Sequence, residues 1–262
     1  MARRSLQDRR ILLTGASSGI GRALAIELAP FHTRLMLLAR REAPLRELVD
    51  ELKHLGAASA EAIVGDVTDA DLRSTVAQRI RDDWQGLDLL VNNAGVSAHG
   101  RFVGSSPTVL RKIMEVNFFA AAELTRLLQP MLAVGEDPLL VNIGSILGHR
   151  GVPFNSEYCA SKFALRGWSE SIRPELARDG IGLMLVSPGT TDTEFFDHLI
   201  AQGEKLPWGE QKGLPVQKAA EQIIRAIQRR RFEIYPNWRG RFLVLLNRTA
   251  PWLVDRIMNR YR

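Results

Sequence analysis

A chain of 262 residues that is 45% hydrophobic can bury a sizeable core, which excludes a disordered protein. No apolar run approaches the ~18 residues of a membrane-spanning helix, and the single cysteine, Cys159, excludes a disulfide framework and suits a reducing, cytoplasmic compartment. The net charge of +6 is uneven: residues 229–262 hold nine arginines against Glu233 and Asp255, so the rest is near neutral and lacks the basic, aromatic-interleaved patch that nucleic acid would need.

Arg10–Thr14 reads as a short buried strand, its apolar run too brief for a secretory signal core. It passes into Thr14-Gly15-Ala16-Ser17-Ser18-Gly19-Ile20-Gly21, after which Ile20, Leu24 and Leu28 have helical spacing. Glycines let backbone approach a phosphate, and the free N–H groups of the helix start face it, so this junction is an anion site. Its Gly-x3-Gly-x-Gly spacing differs from the Gly-x-Gly-x-x-Gly of ordinary dinucleotide folds. The second strand, Arg34–Ala39, delivers Arg40 and Arg41 about 20 residues beyond the glycines, where such folds read the adenosine ribose. An acid there binds the hydroxyls of NAD, whereas an arginine receives the 2′-phosphate of NADP. Ala39 followed by two arginines favours NADP(H) over NAD(H), with arginines that are only solvated as the alternative; Glu42 is a candidate NAD reader but is assigned to the start of a helix, Glu42–Leu55, where an acid suits the dipole.

Residues 60–64 form the next strand, ending at Asp66-Val67, and 69–84 a helix; 87–91 form another strand, ending at Asn92-Asn93-Ala94-Gly95. Strands alternating with helices indicate βαβ units and a parallel sheet whose ligands bind at the carboxyl ends of the strands. Helical pattern over 107–131 is broken near Asn117-Phe118, where a buried amide is costly unless bonded. Residues 139–143 are a strand leading to Ser145, Tyr158–Arg178 a long helix with Pro174 as the place for a kink, and 182–186 a strand ending at Ser187-Pro188-Gly189-Thr190-Thr191-Asp192-Thr193. Residues 216–230 then read as a helix and 232–235 as a final strand.

On the long helix, Tyr158 and Lys162 are four apart and share a face. An ammonium beside a phenol favours the phenolate, so Lys162 is expected to lower Tyr158 from ~10 toward working pH. Such a tyrosine can exchange a proton with an alcohol or ketone. A surface Tyr–Lys pair packed for structure alone is the alternative.

Four motifs in one order, Thr14-Gly-x3-Gly-x-Gly21, Asn92-Asn-Ala-Gly95, Ser145 with Tyr158-x3-Lys162, and Pro188-Gly-x3-Thr193, make the chain resemble the short-chain dehydrogenase/reductase family over residues 8–195. The resemblance implies a single doubly wound Rossmann-type α/β domain, its mostly parallel sheet of about seven strands flanked by helices. It implies hydride transfer between a carbonyl and an alcohol without a metal. Tyr158 would be general acid in reduction and base in oxidation. Lys162 would lower its pKa and hold the nicotinamide ribose, Ser145 would bond the substrate oxygen, and Asn117 would keep a proton-relaying water. Gly15, Ser17, Ser18, Gly19, Ile20 and Gly21 would cradle the pyrophosphate, and Arg40 and Arg41 the adenosine end. Asp66, Val67, Asn93, Ala94 and Gly95 would lie along the adenosine side of the cleft. Pro188, Gly189, Thr191 and Thr193 would meet the nicotinamide amide, with Tyr158 and Lys162 also touching the cofactor. Gly144 departs from the pattern, standing where a second serine is common. A homodimer or homotetramer is implied as well.

Outside the match, residues 194–215 occupy the family's variable substrate lid, where Phe195, Phe196, Leu199 and Trp208 suit an apolar substrate or close the lid on the core. His99 and His149 lie near the expected cleft and are assigned no role. The Gly-Gly ending of the family's acyl-carrier-protein reductases is missing; residues 236–262 instead form a basic apolar extension beyond the domain of residues 1–235. Its aromatics and arginines at helical spacing suit a membrane interface, a partner subunit or the substrate mouth, and are similar to the tails of hydroxysteroid-dehydrogenase-like and lipid-directed members. The rival readings are a cofactor-sensing module without turnover and a membrane-surface or scaffold protein whose function is the tail.

Overall fold

The computed structural model describes residues 3–196, 198–202 and 212–261. Seven strands, β1 (Arg10–Thr14), β2 (Arg34–Ala39), β3 (Ser59–Val64), β4 (Leu89–Asn92), β5 (Leu139–Ile143), β6 (Gly182–Val186) and β7 (Glu233–Ile234), form one parallel sheet in the order β7-β6-β5-β4-β1-β2-β3. This is the doubly wound α/β architecture expected from the alternating pattern. Strand side chains alternate between faces, so Ile11 and Leu13 join one core and Leu12 the other. The first core takes α1 (Gly19–Leu28), α2 (Glu42–His54) and, later in the chain, α7 (Val216–Gln228). The second takes α3 (Ala70–Arg79), α4 (Pro107–Met114), α5 (Ala120–Ala133) and α6 (Ser156–Arg178). Both faces are covered, which is why the central strands read as continuous apolar runs.

Three expected features differ in detail. The break near Asn117 is a π-helical turn, Glu115–Phe119, that joins α4 to α5 without interrupting the helical path. Helix α6 begins at Ser156, two residues early, and runs on past Pro174 to Arg178. The last strand shrinks to Glu233–Ile234 because only these two residues pair with Leu185 and Val186. Beyond it lie α8 (Trp238–Thr249), capped by Asn237 Oδ1 accepting from the Arg239 N–H at 2.9 Å, and α9 (Pro251–Met258), which has Pro251 at its first position.

The amino ends of the strands are pinned by one buried carboxylate. Asp88 accepts from the Arg10 backbone N–H (2.8 Å), from Arg10 Nη2 (2.7 Å) and from the Glu136 N–H (2.7 Å). Burial alone would raise its carboxyl, but these bonds hold it below the usual carboxylate range. Stability from Asp88 is therefore present above ~4 and lost as pH falls through the depressed folded value. Asp88→Ala is expected to lower unfolding free energy by about 3 kcal/mol at neutral pH. Urea titrations of both proteins at neutral and acid pH should show that difference shrinking below pH ~4.

Candidate active site

The strand order reverses between β1 and β4, and the loops leaving these strands meet there. The Thr14 hydroxyl accepts from the backbone N–H groups of Asn93 and Ala94, both at 3.0 Å, and donates to the Val91 carbonyl. In return the Asn93 side-chain amide donates to the carbonyls of Thr14 and Gly15, both at 3.0 Å. This reciprocal clasp leaves no room for side chains: a Cβ on Gly15 would lie 2.8 Å from Ala94 Cα, and one on Gly21 would collide with the Gly15 carbonyl oxygen. Gly15 and Gly19 also sit at φ +68° and +54°. Ser18 makes no side-chain cap, so the first N–H groups of α1 open toward the crevice, the arrangement that receives an anion.

Arg40 and Arg41 emerge from β2 onto the crevice rim. Arg41 is drawn across it, with Nε donating to Ser17 Oγ (3.4 Å) and Nη1 to Glu194 (3.2 Å), while Arg40 is exposed. At the end of β3, burial would raise the Asp66 carboxyl. Hydrogen bonds from the Thr68 N–H (3.0 Å) and hydroxyl (2.8 Å), with Lys112 at 3.3 Å, hold it below the usual range.

Ser145, Tyr158 and Lys162 converge beyond β5. Lys162 is 4% exposed and donates to the Ile143 carbonyl at 2.9 Å, with Nζ 5.7 Å from the Tyr158 ring centroid. Burial pulls its ammonium down to about 8. Burial likewise pushes the Tyr158 phenol above its ordinary value, and its hydrogen bond with Ser145 offsets only part of this. The lowering of Tyr158 by Lys162 expected from their spacing is thus reversed, because desolvating a phenolate outweighs a charge aimed at a backbone carbonyl. Ser145 Oγ also accepts from the Leu147 N–H at 3.1 Å, fixing the loop that carries it.

Asn117 lies in the π turn and is 1% exposed. Its Oδ1 accepts from the Val96 N–H (2.8 Å), and its Nδ2 donates to the Val96 carbonyl and to Ser161 Oγ, both 2.9 Å. Both amide hydrogens are committed, so this side chain is a clasp between the Gly95 loop and α6. The amide sits within the widened turn, a feature that recurs at functional sites.

Most of these groups face one cleft of about 1180 Å³, larger than a single drug-sized pocket and wide enough for a dinucleotide and a second molecule; Gly21 and the buried Asn117 are not among the residues that line it. Pro188, Gly189, Thr191 and Thr193 line one wall, with Phe195 and Leu199 beside them. The Phe195 ring lies 5.9 Å from that of Tyr158. Trp208 and the side chain of Phe196 lie outside the described residues.

The sequence profile of the short chain dehydrogenase family matches residues 9–203. An uncharacterized oxidoreductase of Bacillus subtilis is 32% identical over 98% of this chain and 73% of its own length. The chain belongs to the short-chain dehydrogenase/reductase family. Among solved structures, a family member from Burkholderia phymatum in complex with NAD superposes with TM-score 0.85 at 26% identity, covering 95% of this chain and 96% of that one. A second, from Sphingobium yanoikuyae in complex with NADPH, gives 0.79 at 26% identity, covering 94% and 96%. The protein is therefore an oxidoreductase acting on CH–OH and C=O groups, with a fold that binds a nicotinamide cofactor.

Gly144, the departure from the family pattern, fits a tight place: a Cβ there would stand 3.1 Å from the Val186 carbonyl oxygen and 3.2 Å from Leu185 Cδ1. His149, given no role from the sequence, is buried with Nε2 2.9 Å from Ser187 Oγ and 3.3 Å from Glu233, buttressing the Ser145 loop from behind. Among the cleft residues that sequence reasoning missed are Leu243, Ile257 and Met258, which α8 and α9 bring to the rim. Their apolar periodicity was visible; which wall they meet depends on contacts distant in the chain. Helix α8 approaches closely because Gly240 faces Ile146, where a Cβ would come within 2.7 Å of Ile146 Cγ2. Asn247 Nδ2 donates to the His149 carbonyl at 3.0 Å, and Arg150 bridges Asn247 (3.2 Å) and Asp255 (2.6 Å). Gly21→Ala is expected to weaken nicotinamide-cofactor affinity at least ~tenfold and cost about 1–3 kcal/mol through overpacking, as read by cofactor titration and thermal melting.

Proposed function

We propose that the protein is an NADP(H)-dependent enzyme that interconverts an apolar ketone or aldehyde with its alcohol. Tyr158 supplies the proton in reduction, Ser145 bonds the substrate oxygen, and Lys162 holds the nicotinamide ribose and the local positive charge. The observation that carries this reading is the convergence of Ser145, Tyr158 and Lys162 at the bottom of the cleft whose far end holds the glycine turn and two arginines. The bound cofactor supplies the hydride, and the protein supplies position and the proton. The half-buried phenol keeps its proton, the form that acts as the acid when the reaction runs as carbonyl reduction. In this reading Asn117 acts by fixing the Gly95 loop against α6, with any relayed water held beyond its committed amide hydrogens.

The preference for NADP(H) rests on Ala39, Arg40 and Arg41 at the end of β2, with the Ser17 hydroxyl beside Arg41. The same two arginines and the glycine turn, together with Asp66, Val67, Asn93, Ala94 and Gly95, hold the adenosine and pyrophosphate; Pro188 to Thr193 meet the nicotinamide. Phe195, Leu199, Leu243, Ile257 and Met258 give the substrate end its apolar lining, so residues 236–262 extend the domain of residues 1–235 as part of its substrate wall. Exposed Leu110, Phe119, Leu127 and Phe163 on α4, the π turn, α5 and α6 support a homodimer or homotetramer.

A panel of carbonyls and alcohols with both cofactors tests the assignment. NADPH-linked reduction of apolar ketones is expected, and Tyr158→Phe should lower it by about 10²–10⁴-fold while leaving cofactor binding in place. Cofactor binding by wild type with no turnover across the panel would instead support a sensing module. Arg41→Asp should weaken NADPH about tenfold or more and NADH much less; equal losses would contradict the 2′-phosphate assignment. Lys162 is charged below about 8 and neutral above, whereas Tyr158 stays protonated across that range. kcat/KM for reduction should therefore be level below that pH and fall as pH rises through it. A fall on the acid side of neutrality would contradict it.

A further inference from the structure

Helix α8 has two apolar faces, and only one is used by the fold. At about 100° per residue, Trp238, Phe242 and Leu245 fall on one stripe, while Gly240, Leu243, Val244 and Asn247 fall opposite. The second group packs on the site: Gly240 faces Ile146, Val244 is buried, Leu243 lines the cleft and Asn247 bonds the His149 carbonyl. The first group is open, with Trp238 73% and Phe242 and Leu245 each 58% exposed. Trp252, at the start of α9, adds a further exposed indole at 66%. Arg239, Arg241 and Arg248 flank the stripe on both sides, Arg256 lies on α9 and Arg260 in the 3-10 turn after it, all exposed. Asp255, the one acid among residues 236–262, is paired with Arg150.

We propose that α8 and α9 form a docking surface for an anionic lipid membrane. Trp238, Phe242, Leu245 and Trp252 enter the headgroup boundary, and the flanking arginines reach lipid phosphates while their stems cover apolar surface. Charge selects this occupant over a second copy of the chain, because a two-fold pairing through the same face would set arginine row against arginine row. Apolar aromatic and leucine side chains of this size gain little from a nucleic-acid backbone, whereas they suit an acyl boundary. The same two helices carry Leu243, Ile257 and Met258, so docking brings the apolar mouth of the cleft to the bilayer.

Full-length protein with phosphatidylcholine vesicles, with and without phosphatidylglycerol, tests this without any turnover. Wild type should co-sediment with the mixed vesicles, far less with phosphatidylcholine alone, and its tryptophan emission should shift blue on binding. Trp238→Phe should reduce that shift. Arg241→Gln should weaken binding about fivefold, and Phe242→Ser with Leu245→Ser at least ~tenfold. Both variants should keep wild-type melting temperature and cofactor affinity. The proposal is overturned if wild type binds neither vesicle, or if the double serine variant binds as tightly as wild type. It is also overturned if that variant loses oligomeric mass with vesicle binding intact, or if a DNA or RNA duplex competes wild type off the vesicles.

Discussion

Everything at the cofactor end of this molecule depends on the contact between the tips of β1 and β4. There the Thr14 hydroxyl takes two backbone N–H groups from the Asn93 loop, and the Asn93 amide returns two bonds to the glycine turn. Each buried N–H would otherwise cost about 1–3 kcal/mol unsatisfied, so the clasp is strongly preferred to a looser turn. It brings backbone so close that only glycine fits at positions 15 and 21, and it leaves the start of α1 uncapped and facing the crevice. A parallel sheet opens such a crevice wherever its strand order reverses. The chemistry of a dinucleotide site follows from that opening together with the uncapped helix.

A second clasp holds the reacting end. Asn117 ties the Gly95 loop to Ser161 on α6, the helix that carries Tyr158 and Lys162. Gly148 lets the Ser145 loop lie on α6, where a Cβ would approach the Lys162 carbonyl within 2.7 Å. Four elements are thereby locked around one phenol and one ammonium. Burial then moves the two groups in opposite directions, the phenol up and the ammonium down to about 8. Both shifts favour the neutral forms, as desolvation requires. On the proposed mechanism this keeps a proton on Tyr158 at neutral pH, ready for a carbonyl oxygen that gains charge as hydride arrives.

The fold was legible because most of the central strands are short apolar runs, several of them closed by Gly or Asn, and the intervening helices keep a 3.6-residue period. Strand limits at Arg34–Ala39, Leu139–Ile143 and Gly182–Val186 agree with those read from the pattern. Most of the candidate site residues, legible as types at spacings, lie along one cleft, while Asn117 and Gly21 are not among its lining residues. Energetic sign was not legible: four residues of spacing between Tyr158 and Lys162 give proximity, but the desolvation that reverses the shift depends on the surrounding fold. Nor was the tail's inner role, since Gly240 meets Ile146 and Asn247 meets His149 across about 100 residues of chain, and no local period encodes such a contact. Thr14 and Ser161 belong to the same class: small hydroxyl residues whose partners are fixed only in three dimensions.

On the proposed reading, substrate choice falls to the apolar residues that line the cleft near the reacting groups: Phe195, whose ring lies 5.9 Å from that of Tyr158, with Leu199, Leu243, Ile257 and Met258. The central claim is that hydride passes directly between a nicotinamide ring and a carbonyl carbon in this cleft. NADPH carrying deuterium at the transferable C4 position, incubated with the enzyme and an apolar ketone, tests it most directly. The account predicts an alcohol with one deuterium on the former carbonyl carbon and a slower reaction than with unlabelled cofactor. Oxidised cofactor appearing without deuterium in the alcohol, or no alcohol from any ketone tried, would contradict it.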